Sequence, residues 1–377
     1  MPSPATGALL AKSLTSAAAL GFVPVAARFD LFTLLADINR PATGEDISIA
    51  FKERVSAADG DGSTIIPSVL LIQDTLYAMS GLGLVDLAGE DLYTANALTH
   101  HLAVSSSAIH GALHFTTEAL LAGTFLMSKL KSDNFAYPFK DCETPVQHAY
   151  GLLGKSEYVD QHTYSIMAAE GRMDSFNQFM EGKFFKPRKT PDRLKALGYD
   201  FAAVASEAGQ STSTMMVDIG GGRGEMLLEL KDAFPQFGAA DLVVEEFQFD
   251  NDLGNASQEV TIVNWNYKDE NSLQPVKGAL VYHLAHILHN LPDLDAARLM
   301  QRISDAMAPY SRLLVHEFSK NKNYALMHAS MVALYGGRER TSAEWRRMAA
   351  LAGLEVTFEA YPELGEGLVE FRKKVEG

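Results

Sequence analysis

The sequence predicts a chain in two parts: a mainly helical first half, and an α/β second half built as a doubly wound parallel sheet. Three observations carry this. At 377 residues the chain is long for one domain. Apolar residues of the first half recur at helical spacing, whereas in the second half short apolar runs alternate with helical patterns. Within that second half, Met215-Met216-Val217-Asp218-Ile219 runs into Gly220-Gly221-Gly222-Arg223-Gly224, and Met226, Leu227 and Leu230 follow at helical spacing. That is the outline of strand, tight turn and helix, with glycines where the backbone takes positive φ or approaches a ligand. Free N–H groups at the helix start suit a nucleotide-like cofactor.

Composition narrows the partners. Lys plus Arg number 32 against 47 Asp plus Glu, a formal net charge of -15. A nucleic-acid groove needs clustered cations, so no nucleic acid is expected. An anionic membrane surface is disfavoured for the same reason, and no apolar run reaches the roughly 20 residues of a membrane span. Cys142 is the only cysteine, which excludes an intramolecular disulfide and a cysteine-rich metal site. The opening segment is small and apolar but lacks a basic leader, and it continues into Val25, Ala26, Phe29, Leu31, Phe32 and Leu35. It reads as folded helix packed on a partner subunit, in a cytoplasmic protein, and not as a cleaved signal.

In chain order, residues 45–58 carry weak helical periodicity, and Asp59-Gly60-Asp61-Gly62-Ser63 reads as a surface loop. Ile65, Val69, Leu70, Leu71, Leu76 and Met79 predict a helix, after which 81–87 and 91–94 read as two short strands. Helices followed by a small hairpin make a winged-helix outline, and with this acidity it suits a dimerisation module better than a DNA reader. A second helical stretch over 107–131 carries His110 and His114 one turn apart. Metal ligation, core packing and a hydrogen bond to substrate are all open to such a pair; no third ligand accompanies it, so no metal is expected. Residues 133–150 are aromatic and irregular, suited to a pocket wall or a loop packed on the core. Helical spacing over 158–181 brings Met173, Phe176, Phe179 and Met180, and the basic 183–193 segment is a connector.

The second half repeats a strand followed by polar residues at its carboxyl end, where ligands of such sheets bind. Leu242-Val243-Val244 ends in Glu245-Glu246, and Val260-Thr261-Ile262-Val263 ends in Asn264-Trp265-Asn266-Tyr267. Ala279 to Leu284 leads to His286 and His289, and Leu313-Leu314-Val315 leads to His316-Glu317. An acidic residue at Glu245/Glu246, after the glycine turn, suits the ribose diol of NAD or of S-adenosylmethionine (SAM).

Residues 165–371 resemble the class I SAM-dependent O-methyltransferases of fungal and plant secondary metabolism. The resemblance runs through Val217 to Gly224, Gln274-Pro275-Val276-Lys277-Gly278-Ala279, His286 to Asp293, Asp305 to Pro309, Arg312 to Glu317, and Gly336-Gly337-Arg338-Glu339-Arg340-Thr341 before Glu344-Trp345. It implies a Rossmann-like SAM-dependent methyltransferase fold over 196–377, a winged-helix-like dimerisation domain over 1–105, and a helical connector over 106–195 that contributes to the substrate pocket. A homodimer acting on a small molecule follows. Carried over by position, Asp218, Gly220, Gly222 and Gly224 would cradle SAM, Glu246 would take its ribose, and Trp265, Asn266 and Tyr267 would lie by the adenine. His289 stands at the family's general-base position, and Glu317 at the carboxylate that orients it.

Three positions depart from the family pattern. His289-Asn290-Leu291 replaces the usual His-Asp-Trp, Asn266 replaces an Asp, and His328 stands where a second Asp is usual. Loss of charge and of an aromatic around a retained His289 leaves a second activity open: that of the SAM-dependent pericyclases, which resemble these methyltransferases and bind SAM without transferring its methyl. His110, His114, Met173, Phe176, Phe179, Met180, Asn290 and His328 are the candidate pocket residues under either activity.

Overall fold

The structure, a computed structural model, describes residues 4–58, 65–182, 189–207, 214–238, 241–247 and 259–374. The chain forms two units, Met1–Lys129 with Pro145–Phe184, and Leu130–Thr144 with Phe185–Gly377.

The first unit opens with helices Pro4–Leu20, Val23–Arg28, Leu31–Ile38, Gly44–Ala58 and Val69–Leu82. Leu31, Leu34 and Leu35 with Ile72, Leu76 and Met79 fall on one face of their helices, and all are buried in one cluster. Ser68 caps the fifth helix by accepting from the N–H of Leu71. Gly83, at φ 77, ends it in the left-handed region. Gly81 and Leu82 therefore belong to this helix and not to the expected strand. The hairpin that follows is shorter, β1 (Asp86–Gly89) and β2 (Leu92–Thr94), paired antiparallel. The expected loop over Asp59–Ser63 and the 183–188 part of the connector lie outside the described residues.

Helix Ser106–His114 runs into a π-helical turn at Phe115–Ala119 and on into Leu120–Ser132. The irregular stretch is shorter than expected, because Pro145–Leu152 is helical. Proline, which lacks the N–H that a first turn leaves unpaired, is at ease there. The 158–181 pattern is two helices, Thr163–Ala169 and Met173–Gly182, split where Gly171 takes φ 69.

The second unit holds a sheet which, among the described residues, has the order β5-β4-β3-β6-β7-β9-β8. Its strands are β3 (Met216–Ile219), β4 (Leu242–Glu246), β5 (Thr261–Asn264), β6 (Val281–Ala285), β7 (Arg312–Phe318), β8 (Leu354–Ala360) and β9 (Glu366–Lys373). β3 to β7 pair in parallel, as expected, but β9 joins β7 antiparallel and β8 joins β9 antiparallel. The sheet is thus mixed, closed at one edge by a hairpin whose short turn needs no crossover. Side chains alternate between faces. Val217, Ile219, Tyr282, Leu284, Leu313 and Val315 meet Leu299, Ile303, Trp345 and Met348 on one side. Met216, Leu242, Val244, Val281 and Leu314 meet Leu194, Phe201, Leu227 and Leu230 on the other. Burial on both faces leaves the carboxyl ends of the parallel strands as the place for polar chemistry.

Candidate active site

The glycine turn follows β3. Gly220, Gly222 and Gly224 take φ of 66, 58 and 79, where a side chain is strained. Gly221 is needed for another reason: a Cβ there would lie 2.5 Å from Oδ2 of Asp218. The N–H of Gly220 donates to the carbonyl of Glu245 at 2.7 Å, which ties the turn to β4.

The two glutamates that end β4 have different environments. Glu246 reaches the turn, where one oxygen accepts from the N–H of Gly222 at 3.1 Å and the other from that of Phe247 at 2.9 Å. Burial pushes its carboxyl above the ordinary range. Glu245 points into the core, accepts from Nε2 of Gln274 at 2.7 Å, and is pushed up to about 7 by burial. The β5 end holds the other cofactor candidates. Trp265 is buried in the sheet core with the Arg302 guanidinium 5.8 Å from its ring, and Tyr267 packs beside it. Asn266 turns back, its Oδ1 accepting from the N–H of Lys268 at 3.1 Å.

His289 sits on a short 3-10 turn, Leu288–Asn290, after β6. The sequence placed Glu317 as its orienting carboxylate. In the structure the nearer carboxylate is Glu339, whose Oε1 lies 2.9 Å from Nδ1 of His289, against 3.5 Å for Oε2 of Glu317. Oε1 of Glu317 instead accepts from the backbone N–H groups of Leu288 and His289, at 2.9 and 3.2 Å. Glu317 therefore holds the turn and Glu339 holds the ring. Since a carboxylate only accepts, Nδ1 carries a proton and Nε2 is the basic nitrogen of the neutral ring. Burial pushes Glu317 up to about 7, opposed by the neighbouring His289. Arg340, buried next to Glu339, donates to the carbonyls of Leu288 and Leu291 at 2.7 and 2.9 Å and to the carboxylate of Asp293. Gly337 makes this approach feasible: a Cβ on it would meet the carbonyl of His289 at 2.0 Å.

The departures from the family pattern are engaged locally. Asn290 donates from Nδ2 to the carbonyl of His286 at 2.9 Å, Leu291 is buried in the sheet core, and Nδ1 of His328 accepts from the N–H of Glu339 at 3.1 Å. His286, His289 and Glu317 bring ligating atoms within 4.8 Å of one another. Each is already engaged: His286 donates from Nε2 to Glu366 at 2.6 Å, and the other two hold the contacts above.

In the first unit, His110 Nδ1 lies 2.7 Å from Oγ of Ser175. His114 is buried, ringed by Phe115, Phe176 and Phe179 at centroid distances of 5.1 to 5.8 Å, with Nδ1 3.2 Å from Glu118. Glu118 pairs in turn with Arg172, which donates to the Tyr150 hydroxyl at 3.1 Å. Met173 and Met180, half-buried, share a helix with Phe176 and Phe179.

The turn fits a cofactor with a ribose and a cationic centre. Three positive-φ glycines leave the backbone bare beside two carboxylates, Asp218 and Glu246. Residues 201–355 match the O-methyltransferase domain family. The chain is 48% identical over 376 residues to O-methyltransferase bfoE of Aspergillus brasiliensis, covering 99% of this chain and 97% of that protein. It is 46% identical over 383 residues to O-methyltransferase aunE of Aspergillus niger, with the same coverage. The chain belongs to the fungal SAM-dependent O-methyltransferase family. SAM is the cofactor of that family, and its activity is O-methyl transfer. Solved structures share the fold of this methyltransferase across nearly its whole length. Mitomycin 7-O-methyltransferase MmcR superposes with a TM-score of 0.72 at 21% identity, covering 98% of both chains. LepI in complex with SAM superposes with a TM-score of 0.74 at 18% identity, covering 99% of this chain and 90% of its own.

No helix among the described residues is long and apolar enough to cross a membrane.

Glu339 and Arg340 are the functional candidates that sequence reasoning missed. Both lay in view within Gly336 to Thr341, and the signal was an adjacent Gly-Gly and a Glu flanked by arginines. Such a pattern marks a close backbone approach and a charge that must be paired.

Proposed function

We propose that methyl transfer here runs by general-base catalysis on His289. The observation that carries it is the Glu339–His289 contact of 2.9 Å in a buried setting, which fixes the tautomer with Nε2 as the base. Nε2 takes the acceptor's hydroxyl proton, and Glu339 stabilises the imidazolium through Nδ1. Glu317 and Arg340 keep the 3-10 turn in place meanwhile, so the base is not repositioned during the reaction. Asp218, Gly220, Gly222 and Gly224 would hold the methionyl end of SAM and Glu246 its ribose, with Asn266, Trp265 and Tyr267 on the adenine side. Bound SAM supplies an electrophilic methyl on a cationic sulfonium.

Within the first unit we assign acceptor contacts to His110, His114, Met173, Phe176, Phe179 and Met180, and within the second unit, separately, to Asn290 and His328. The aromatic ring around His114 suits a flat hydroxylated substrate such as a phenol, pyridone or polyketide. Residues 196–377 are the SAM-binding part. Residues 1–105, with the β1–β2 hairpin as the wing, are assigned to a winged-helix-like module that pairs two copies in the cytoplasm. Supporting this, helix Pro4–Leu20 leaves Leu9, Leu10 and Leu14 exposed at 68%, 59% and 71%. Light scattering on the full chain should give the mass of a dimer, and Leu10→Glu with Leu14→Glu should give a folded monomer. A wild-type monomer at working concentration would remove the dimer assignment.

The decisive assay uses SAM labelled on its methyl, with a panel of hydroxylated aromatic polyketides, pyridones and phenols. Labelled ether product and an equivalent of S-adenosylhomocysteine are expected. Product that requires SAM but carries no label would overturn methyl transfer and point to pericyclic chemistry.

A further inference from the structure

Beneath the glycine turn lies a buried polar row, of which the proposed chemistry uses Asp218 but neither His283 nor His316. Asp218 on β3 is in register with His283 on β6, and His316 on β7 lies two residues beyond His283's own partner, Leu314. With a two-residue side-chain period, the three project from the same face of the sheet. They touch in sequence: Nδ1 of His283 is 2.7 Å from Oδ1 of Asp218, and Nε2 of His283 is 2.7 Å from Nδ1 of His316. All three are at least nineteen-twentieths buried. An apolar row at these positions would bury more favourably unless the polar groups had a task.

Donor and acceptor counting fixes the protons. Asp218 only accepts, so Nδ1 of His283 carries hydrogen. One hydrogen must lie between the two rings. Were His283 doubly protonated, neutral His316 would keep its proton on Nε2, which is buried and has no hydrogen-bond partner among the described residues. An orphaned buried donor is rarer than an under-used acceptor. The consistent arrangement is therefore Nδ1–H of His316 donating to Nε2 of His283, and Nδ1–H of His283 donating to Asp218. Burial and the adjoining His283 hold His316 well below its ordinary value, which agrees with a neutral ring. Both dipoles then point at the Asp218 carboxylate without adding a buried net charge.

We propose that His283 and His316 are positioning residues, a neutral two-imidazole relay that fixes the Asp218 carboxylate under the glycine turn so that the turn can hold a cationic cofactor. This rests on the assignment of Gly220–Gly224 and Asp218 to SAM. The carboxylate's other oxygen, Oδ2, lies where a Cβ on Gly221 would come to 2.5 Å, so a rotation of Asp218 would disturb the turn itself. The relay acts through Asp218 and touches neither the acceptor nor His289.

Calorimetric titration of the full chain with SAM, together with steady-state kinetics, tests this. Losing a hydrogen bond to a charged group corresponds to about tenfold or more in affinity. His283→Phe should therefore raise both Kd and KM for SAM about tenfold, with kcat at saturating SAM lowered no more than about threefold. His283→Asn, whose amide sits where Nδ1–H was, should restore most of the affinity, a rescue that a packing role would not give. Wild-type binding with an unaltered Kd in His283→Phe would overturn the relay and leave the cofactor site standing. Failure of the wild type to bind SAM would instead overturn the cofactor site. Should His283→Phe not fold, nitrogen NMR of the wild-type imidazoles decides: both rings should be Nδ1–H tautomers, and an Nε2–H or doubly protonated His283 would refute the relay.

Discussion

Around His289 two carboxylates compete for one ring nitrogen, and their other contacts separate their roles. Glu339 is the nearer to Nδ1, while the oxygen of Glu317 that accepts does so from backbone N–H groups. A glutamine at 317 keeps an oxygen for those N–H groups, whereas a glutamine at 339 loses the charge that stabilises the imidazolium. Glu339→Gln should therefore lower kcat by about ten- to hundredfold, more than Glu317→Gln does, with KM for SAM little moved in either. His289→Ala should abolish turnover while the fold, read by circular dichroism, stays intact. A larger loss in Glu317→Gln would return the orienting role to Glu317. His289 and Glu317 were legible in the sequence because each stands at the end of an apolar strand pattern. Glu339 was not, since it reaches the ring across 50 residues of chain, a contact that no local period encodes.

At the scale of elements, the parallel strands announced themselves through short apolar runs, and the glycine turn through its composition. The β8–β9 hairpin did not stand out, although Leu354, Val356 and Phe358 alternate with polar residues, because a repeating strand-helix pattern favours the expectation of one more parallel strand. The helix at Pro145–Leu152 was hidden by aromatic residues that also suit loops. Close approach of two backbones is legible only as a glycine. Gly337 is such a case, with the carbonyl of His289 and the peptide atoms of Asn290 and Leu291 within 2.0 to 2.7 Å of the missing Cβ. Backbone cannot rotate aside as a side chain can. Gly337→Ala should cost about 3 kcal/mol of stability in chemical denaturation, and should lower kcat by displacing His289. Gly353→Ala is the contrasting control: its φ of 67 is strained, but nothing lies within 4 Å of its Cβ. It should cost about 1 kcal/mol and leave kcat alone. Equal effects on kcat would mean that the 336–340 segment does not set the position of the base.

On the scale of the whole molecule, a net charge of -15 already makes the folded state repel itself more as pH rises. A buried carboxyl adds to that trend in a way that can be isolated. Glu245 is displaced from an ordinary 4.5 to about 7 by burial, so the folded chain keeps its proton between those values while the unfolded chain has released it. With more protons bound in the folded state, stability falls as pH rises. The contribution is fully present below about 4.5 and lost as pH climbs through about 7. At about 1.4 kcal/mol per unit of displacement, the loss between pH 5 and pH 8 is about 2–3 kcal/mol. Glu245→Gln removes the titration and keeps an oxygen for the Nε2 donor of Gln274, 2.7 Å away. Urea denaturation of wild type and variant should give similar stabilities at pH 5, with the variant ahead by about 2–3 kcal/mol at pH 8. The bulk charge differs by one in 47 acidic residues, so self-repulsion nearly cancels in this difference. A gap that stays constant across that range would mean that Glu245 ionises freely in the folded chain, and that the end of β4 is wetter than its burial implies.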